Sequence, residues 1–489
     1  MNHMLTRRQL LADSAMGIGG VALAFLMHQE KILGNPSKLP KDTMPVDLRT
    51  RQPHFPAQAR AMISLFQHGG PSHMDLMDPK PELNRLSGTE YQGEIKYSFV
   101  NRASKKLLGS PWKFQKYGEC GTEISELLPA LAEIVDDVCI IRSMHTGANG
   151  HEVSIRYFHG GIPGVIGRPT FGSWLVYGLG SESQNLPAYM VLTDPGGLPV
   201  DGVSNWSNGF MPPLFQGTVL RPKEPRILDL DAPPHLKGTL QEQNLDLLQT
   251  LNRRHLDRHP GEADLEARIA SYELAAAMQT AAREALDLSQ ETKATQEMYG
   301  IDRPETREYG QRCLIARRLV ERGVRFVQLF HNGQPWDHHT SIHKGLPNVC
   351  RKTDQPCAAL VKDLKQRGML DSTIVHWGGE IGRLPVVEDH GKAEQIGRDH
   401  NGQGFSIWLA GGGIKGGMTY GATDEVGHHA VENVVTPNDF QATLLHQFGL
   451  KTEDLTYRYN GVEQQITNQR PSKVVGDILK NPVRIAAKS

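Results

Sequence analysis

Apolar positions along the chain fall in short runs closed by glycine, proline and polar turns, and these runs alternate with longer stretches of helical period. Residues 61–66 (Ala-Met-Ile-Ser-Leu-Phe) are bounded by Gln-His-Gly-Gly, the pattern of a strand buried on both faces. Similar runs occur at 138–141 and 188–192. The first follows a helix-like segment at 124–135 and the second a helix expected at 171–179. Residues 194–235 are rich in Gly, Pro, Ser and Asn and predict a long irregular excursion. Helical periodicity returns over 262–290 and 304–322, with Gly323 as a stop. Beyond it the alternation is most regular: strand 324–330, helix 354–367 closed by Gly368, strands 373–377 and 405–410, and a helix begun near Pro437 and running to Phe448. Strands alternating with helices predict an α/β fold, doubly wound, with a mostly parallel sheet and helices on both faces. No internal repeat or low-complexity block interrupts it.

The first thirty residues stand apart. Thr6-Arg7-Arg8-Gln9-Leu10-Leu11 precedes a mildly apolar run from Ala15 to Met27 that contains Gly17, Gly19 and Gly20. Charged and then apolar regions in that order make a secretion signal, and the paired arginines make it the twin-arginine type. The expected organisation is a signal segment over 1–30, a linker over 31–58 and a single domain over 59–489. The expected location is the periplasm or cell envelope. The run is too short for a comfortable membrane span, although an uncleaved leader is compatible with it.

Composition narrows the class. The chain has 489 residues, 38% hydrophobic and 22% charged, with a formal net charge of −1. That suits a soluble protein with a large core, and it lacks the basic excess expected of a nucleic-acid partner. The five cysteines include no C-x-x-C pair, so a zinc ribbon or redox motif is not expected. Cys350 and Cys357 are the pair closest in sequence, and either a bridge or buried thiols would fit them.

Ligands of open α/β sheets bind beyond the carboxyl ends of the strands, so the residues leaving each strand are the candidates for chemistry. Strand 61–66 is followed by Gln67-His68-Gly69-Gly70-Pro71-Ser72-His73-Met74-Asp75. After 138–141 come Ser143, His145, Thr146 and His151, and after 324–330 come His331, Asp337, His338 and His339. Gly378-Gly379-Glu380 follows 373–377, and Gly397-Arg398-Asp399-His400 precedes the strand at 405. Nine of the 21 histidines lie between 331 and 429, which concentrates the candidates in the C-terminal half. Imidazole with carboxylate is the usual ligand set of a catalytic divalent metal. Asp337, His339, Glu380 and His400 therefore form the candidate metal site, with one or two ions and zinc, manganese, iron and calcium all compatible. The alternative is a polar cleft whose groups bond only to one another and to water. Asp399 is placed to orient a ligand imidazole. Arg383 and Arg398 are placed to grip an anionic substrate group, or else form ordinary ion pairs. Ser72 and Thr146 are the candidate hydroxyl nucleophiles, and Ser72 could equally cap a helix. No G-x-S-x-G elbow, P-loop or dinucleotide fingerprint is present.

Several of these blocks occur together in one family. Gly69-Gly70-Pro71-Ser72-x-x-Asp75 with Asp78-Pro79-Lys80-Pro81, Trp336-Asp337-x-His339, Gly379-Glu380-x-Gly382-Arg383, Gly397-Arg398-Asp399-His400, Leu409–Gly413 and Tyr420–Glu425 resemble, in order, the motifs of domain-of-unknown-function family 1501. The resemblance spans nearly the whole chain after the leader. That family is placed with the sulfatase-like branch of the alkaline phosphatase superfamily. The resemblance thus implies an alkaline-phosphatase-like fold and a site for one or two divalent metals. It makes Asp337, His339, Glu380 and His400 the ligands and adds Asp75 from the opening motif. The sequence departs from that superfamily in two respects: no cysteine, and not Ser72, stands in the C/S-x-P-x-R context that yields formylglycine in sulfatases, and the superfamily's Asp-His pair after a late strand appears here as Gly379-Glu380. Two functions follow as expectations. One is an exported metal-dependent hydrolase of phosphate or sulfate esters acting on a small anionic or sugar ester. The other is a non-catalytic exported protein that binds through the same cleft.

Overall fold

The computed structural model describes residues 47–98, 104–227, 238–259 and 263–483. The signal segment and most of the expected linker lie outside the described residues. Residues 47–58 are docked on the body: Arg51 N donates to Leu179 O, Phe55 N to Gly449 O and Gln58 N to Gln447 O.

Eight strands form the central sheet. They are β1 (Ala61–Phe66), β2 (Val138–Met144), β3 (Tyr189–Leu192), β4 (Thr218–Leu220), β5 (Phe326–Leu329), β6 (Thr373–Gly378), β7 (Phe405–Ala410) and β8 (Met418–Tyr420). Their spatial order is β8-β2-β7-β6-β1-β5-β3-β4. All pairings are parallel except those of β7, which runs antiparallel to both β2 and β6. The edge strands β4 and β8, three residues each, give no period that a sequence reading can detect.

Alternation along β1 divides the core in two. Ile63 and Leu65 join one cluster with α4 (Ala263–Leu286), α5 (Pro304–Glu321) and α6 (Ile342–Gln366). Met62 and Phe66 join the other with α1 (His151–Gly160), α2 (Phe171–Leu179) and α7 (Pro437–Gln447). Helices on both faces of a mostly parallel sheet define the doubly wound α/β architecture expected from the sequence. A further helix, α3 (Thr239–Arg258), precedes α4. Among the described residues no helix is long and apolar enough to cross a membrane.

One expectation is corrected here, and one open alternative is decided. Residues 124–135 are not one helix. Thr122–Ser125 pairs with Phe114–Tyr117, and a single helical turn, Pro129–Ala132, follows. Pro129 explains this, because a residue before proline is disfavoured in helical conformation. The five cysteines are free. Cys350 and Cys357 both lie on α6, and seven helical residues separate them by about 10 Å, beyond the reach of a bridge.

The turn at Pro129 is capped from α6: Asp354 accepts hydrogen bonds from Ala130 N (2.7 Å) and Leu131 N (3.0 Å). Burial pushes its carboxyl up to about 7, against about 3.9 for an unfolded chain. The folded state therefore holds this proton more tightly than the unfolded one. Its contribution is complete below the unfolded value and is lost as pH rises through about 7. Asp354→Asn is expected to flatten the decline in stability between pH 4 and 8, as read by urea unfolding at each pH.

Candidate metal centre

The direction of β7 decides where the site forms. Because β7 runs against its neighbours, the residues that enter it lie at the same edge as those that leave β1, β2, β5 and β6. His400 thus meets Asp337 and His339 from the β5 exit and His151 from the first turn of α1, with Glu380 from the β6 exit behind His151.

Asp337 is the hub. Its Oδ1 lies 3.0 Å from His339 Nε2, 3.2 Å from His400 Nε2 and 2.5 Å from Arg383 Nη2. Its Oδ2 accepts from Gln334 Nε2 (2.6 Å) and lies 3.4 Å from His151 Nε2. The Nε2 atoms of His339 and His400 are themselves 2.9 Å apart. Two three-residue groups have ligand atoms close enough to share an ion: His151, Asp337 and His400, and His339, Asp399 and His400.

The outward nitrogens fix the tautomers. Glu388 Oε2 lies 2.5 Å from His339 Nδ1, Asn149 O lies 2.7 Å from His400 Nδ1, and Glu380 Oε1 lies 2.6 Å from His151 Nδ1. Each Nδ1 faces an acceptor and so carries the proton, leaving each Nε2 lone pair turned inward. Three inward lone pairs then face one carboxylate, and His151 Nε2 is buried there without a hydrogen bond. Such a set of acceptors repels itself unless a cation or extra protons lie between them. Ligands about 2.1 Å from one ion sit about 3.0–3.4 Å from each other, the range seen around Asp337. The donor set fits a divalent metal.

Without an ion, protons fill the gap. Burial opposes protonation of His151, but the carboxylates of Asp337 and Glu380 outweigh it and push the imidazole up to about 9. Burial opposes His339 too, yet Asp337 and Glu388 raise it. Burial holds His400 below its usual value despite Asp337. Asp337 resists its own burial because Arg383 and the imidazoles hold its carboxyl far below the usual range.

The structure thus brings together Asp337, His339 and His400 and adds His151, which the sequence marked only as following a strand. It places other candidates differently. Glu380 stands behind His151, where its Oε1 also accepts from Gly69 N (3.0 Å), and its Oε2 is buried without a partner. Asp75 does not reach the cluster. It is fully buried in a two-pronged pair with Arg398 (Nε to Oδ2 2.8 Å, Nη2 to Oδ1 3.1 Å) and accepts from Ser72 Oγ (2.6 Å). Arg398 has no exposed surface. Arg383 is also buried and donates to Gly70 O, to Arg398 O, to Gly69 O and to Asp337. Both arginines are thus engaged in buried ion pairs, Arg383 with Asp337 and Arg398 with Asp75, the second of the two alternatives the sequence left open. Thr146 Oγ1 donates to Ala148 O (3.3 Å), so neither candidate hydroxyl points at Asp337. Asp399 accepts from Ser98 N and from His400 N, with its Oδ1 4.0 Å from His339 Nδ1, while Glu388 makes the short bond to that nitrogen. Glu388 was invisible in the sequence because Val386-Val387-Glu388-Asp389 carries no spacing that marks a ligand's partner.

Gly69 shows why the opening motif needs glycine. Its φ is +106°, and a Cβ there would lie 2.6 Å from Asp337 N. The β1 exit and the loop that carries Asp337 therefore touch backbone to backbone.

Fold and site together define a doubly wound α/β protein with a histidine and aspartate centre at the carboxyl edge of its sheet. The chain belongs to the family described as proteins of unknown function, DUF1501, which it matches over residues 59–479. No curated protein matches it. Among solved structures it is similar to the lipoteichoic acid synthase LtaP from Listeria monocytogenes (8% identity, 83% of this chain and 77% of that one, TM-score 0.35). It is similar also to the sulfatase PsFucS1 from Pseudoalteromonas sp. (11%, 89% and 72%, TM-score 0.34) and to a mutant of TAB5 alkaline phosphatase (9%, 76% and 96%, TM-score 0.28). Superpositions this loose transfer no residue role.

Proposed function

We propose that this protein is an exported, metal-dependent hydrolase of phosphate or sulfate esters, with residues 59–489 as its working domain. One observation carries the metal: three imidazoles, each anchored by its outer nitrogen, turn their Nε2 atoms onto Asp337. His151, Asp337, His339 and His400 would hold the ion. Three imidazoles and one carboxylate favour zinc, manganese or iron over calcium, which takes oxygen ligands. Held by these residues, a divalent ion would supply Lewis-acid chemistry, activating a water and offsetting negative charge on a phosphoryl or sulfuryl oxygen. The protein's own part is to fix ligand geometry. Glu388, Glu380 and Asn149 O orient the rings, Arg383 holds Asp337 ionised, and the buried Asp75–Arg398 pair supports the floor. The ester class, with a small anionic or sugar ester as substrate, rests on the motif resemblance. The twin-arginine leader supports a periplasmic or cell-envelope location.

The hydroxyls favour a second reading. Ser72 and Thr146 are both engaged elsewhere, as a non-catalytic binding protein on this scaffold would allow. Elemental analysis of protein purified without a His-tag, followed by a screen of phosphate and sulfate esters, separates the two. Bound metal with turnover supports the hydrolase, and bound metal with no turnover of any ester leaves the binding protein. Glu388→Gln tests the anchoring of His339. It is expected to weaken metal binding about 10- to 100-fold by titration calorimetry while the circular dichroism spectrum stays unchanged.

A further inference from the structure

Gln67 is the first residue beyond β1, and its side chain is fully buried. Its partners fix the orientation of the amide. Trp336 Nε1 lies 2.9 Å from Oε1, and an indole can only donate. His331 Nε2 lies 3.0 Å from the same oxygen, so that nitrogen carries the proton of its ring. Gln67 Nε2 in turn donates to Leu65 O (2.8 Å) and to the hydroxyl of Tyr309 on α5 (3.1 Å). Two bonds given and two received use the whole capacity of an amide side chain. A satisfied buried amide is ordinary in a core. What sets this one apart is the origin of the two bonds it receives. His331 and Trp336 bracket the loop that leaves β5, and Asp337 is the next residue. One oxygen atom therefore closes that loop as a clasp. The parts it holds are themselves seated: the Trp336 indole packs edge-on against Trp377 of β6 (centroids 5.5 Å, 86°), and His331 lies flat on Tyr309 (4.9 Å, 9°). Trp336 N also donates to His68 O (3.2 Å), and Gly69 touches Asp337 backbone to backbone.

We propose that Gln67 is a positioning residue of the metal centre, which sets the Asp337 carboxylate by holding Trp336. The inference rests on the reading of that centre as a metal site. Gln67 touches none of the four ligands, so it acts through the loop alone. Asp337 is the ligand on which the three imidazoles converge. A ligand set has to be held to within about 0.5 Å of its working geometry by groups outside it. Glu388 and Glu380 do this for the rings, and the Gln67 clasp does it for the main chain that carries the carboxylate. The two sides of the amide have different tasks. Oε1 holds the loop, while Nε2 ties Gln67 itself to β1 and α5.

The test is titration of the full chain with cobalt(II), which falls among the ions this donor set favours and whose visible absorption reports ligand geometry. The thermal midpoint of each protein is read alongside. Trp336→Phe removes the indole N–H and keeps an aromatic ring against Trp377. It is expected to weaken cobalt binding about tenfold and to shift the visible band. Gln67→Met loses the clasp altogether and should weaken binding about 10- to 100-fold. In that background Trp336→Phe should add less than about twofold, because the bond it removes is already gone. Tyr309→Phe is the counterpart. It strands an N–H of Gln67 and should lower the midpoint, but it leaves Oε1 in place. Its cobalt affinity should stay within about twofold of wild type, with the band unmoved. A residue that only supported the fold would make affinity follow the midpoint in every variant. Unchanged cobalt binding by Trp336→Phe, with wild type loaded, overturns the inference and leaves the metal centre standing. So does a Tyr309→Phe protein that loses as much affinity as Trp336→Phe. Should Gln67→Met fail to fold, those two variants decide by themselves. Wild type that takes up no cobalt overturns the metal centre and this inference with it.

Discussion

Asp337→Ala is expected to leave the purified protein with under a tenth of the divalent metal that wild type carries, and to remove any ester hydrolysis with it. The magnitude follows from the position of the side chain. Both its oxygens are used: one faces His339, His400 and Arg383, and the other faces His151 and Gln334. Without that carboxylate the three imidazoles share no anionic ligand, and Arg383 leaves an uncompensated positive charge beside the place of the cation. Losing one of four ligands and reversing the local charge together should weaken binding by at least about 10³-fold, or roughly 4 kcal/mol. Thr146→Val is the control, because that hydroxyl bonds to Ala148 O and its loss should leave the metal in place. The measurement is metal content per chain. Wild type that is folded and still metal-free after incubation with zinc, manganese, iron and calcium in turn would sink the hydrolase reading.

The second large effect concerns stability. Asp75 and Arg398 form a two-pronged ion pair with almost no solvent access on either side chain. Removing one partner strands a buried charge, which costs about 3–5 kcal/mol. Arg398→Met is therefore expected to lower the thermal midpoint by several degrees. Asp75→Asn should do nearly as much, and it also disturbs Ser72. Asp75→Leu/Arg398→Met should recover part of the loss, because neither charge is then left alone. Thermal unfolding of all three variants decides the matter. An Arg398→Met protein with an unchanged midpoint and a raised KM would return this arginine to the substrate.

The sequence made the long buried strands legible, because β1, β6 and β7 are mainly apolar runs, broken only by Ser64, by Thr373 and His376, and by Ser406, and such runs need two covered faces. It also made the strand exits legible as the place to look, and three of the four histidine and carboxylate groups singled out there meet directly. What it hid has physical causes. The start of α6 was missed because Pro347 reads as a breaker, although the helix runs through it. Helix α3 was missed because its leucines lie on two faces and show no single apolar period. Strand direction carries no local signature, so nothing in residues 397–410 told whether His400 stood at the right edge. Anchoring residues such as Glu388 are held by geometry between distant loops and leave no spacing in the chain.

That one reversed strand also ties the sheet together. Without β7, the backbone ladder of the sheet falls into two pieces, β2 with β8 and β6 through β4. His151 hangs from the first piece and Asp337 and His339 from the second, while His400 belongs to the strand that joins them. The candidate metal centre therefore spans both pieces, and β7 is the strand that brings its two halves to one edge.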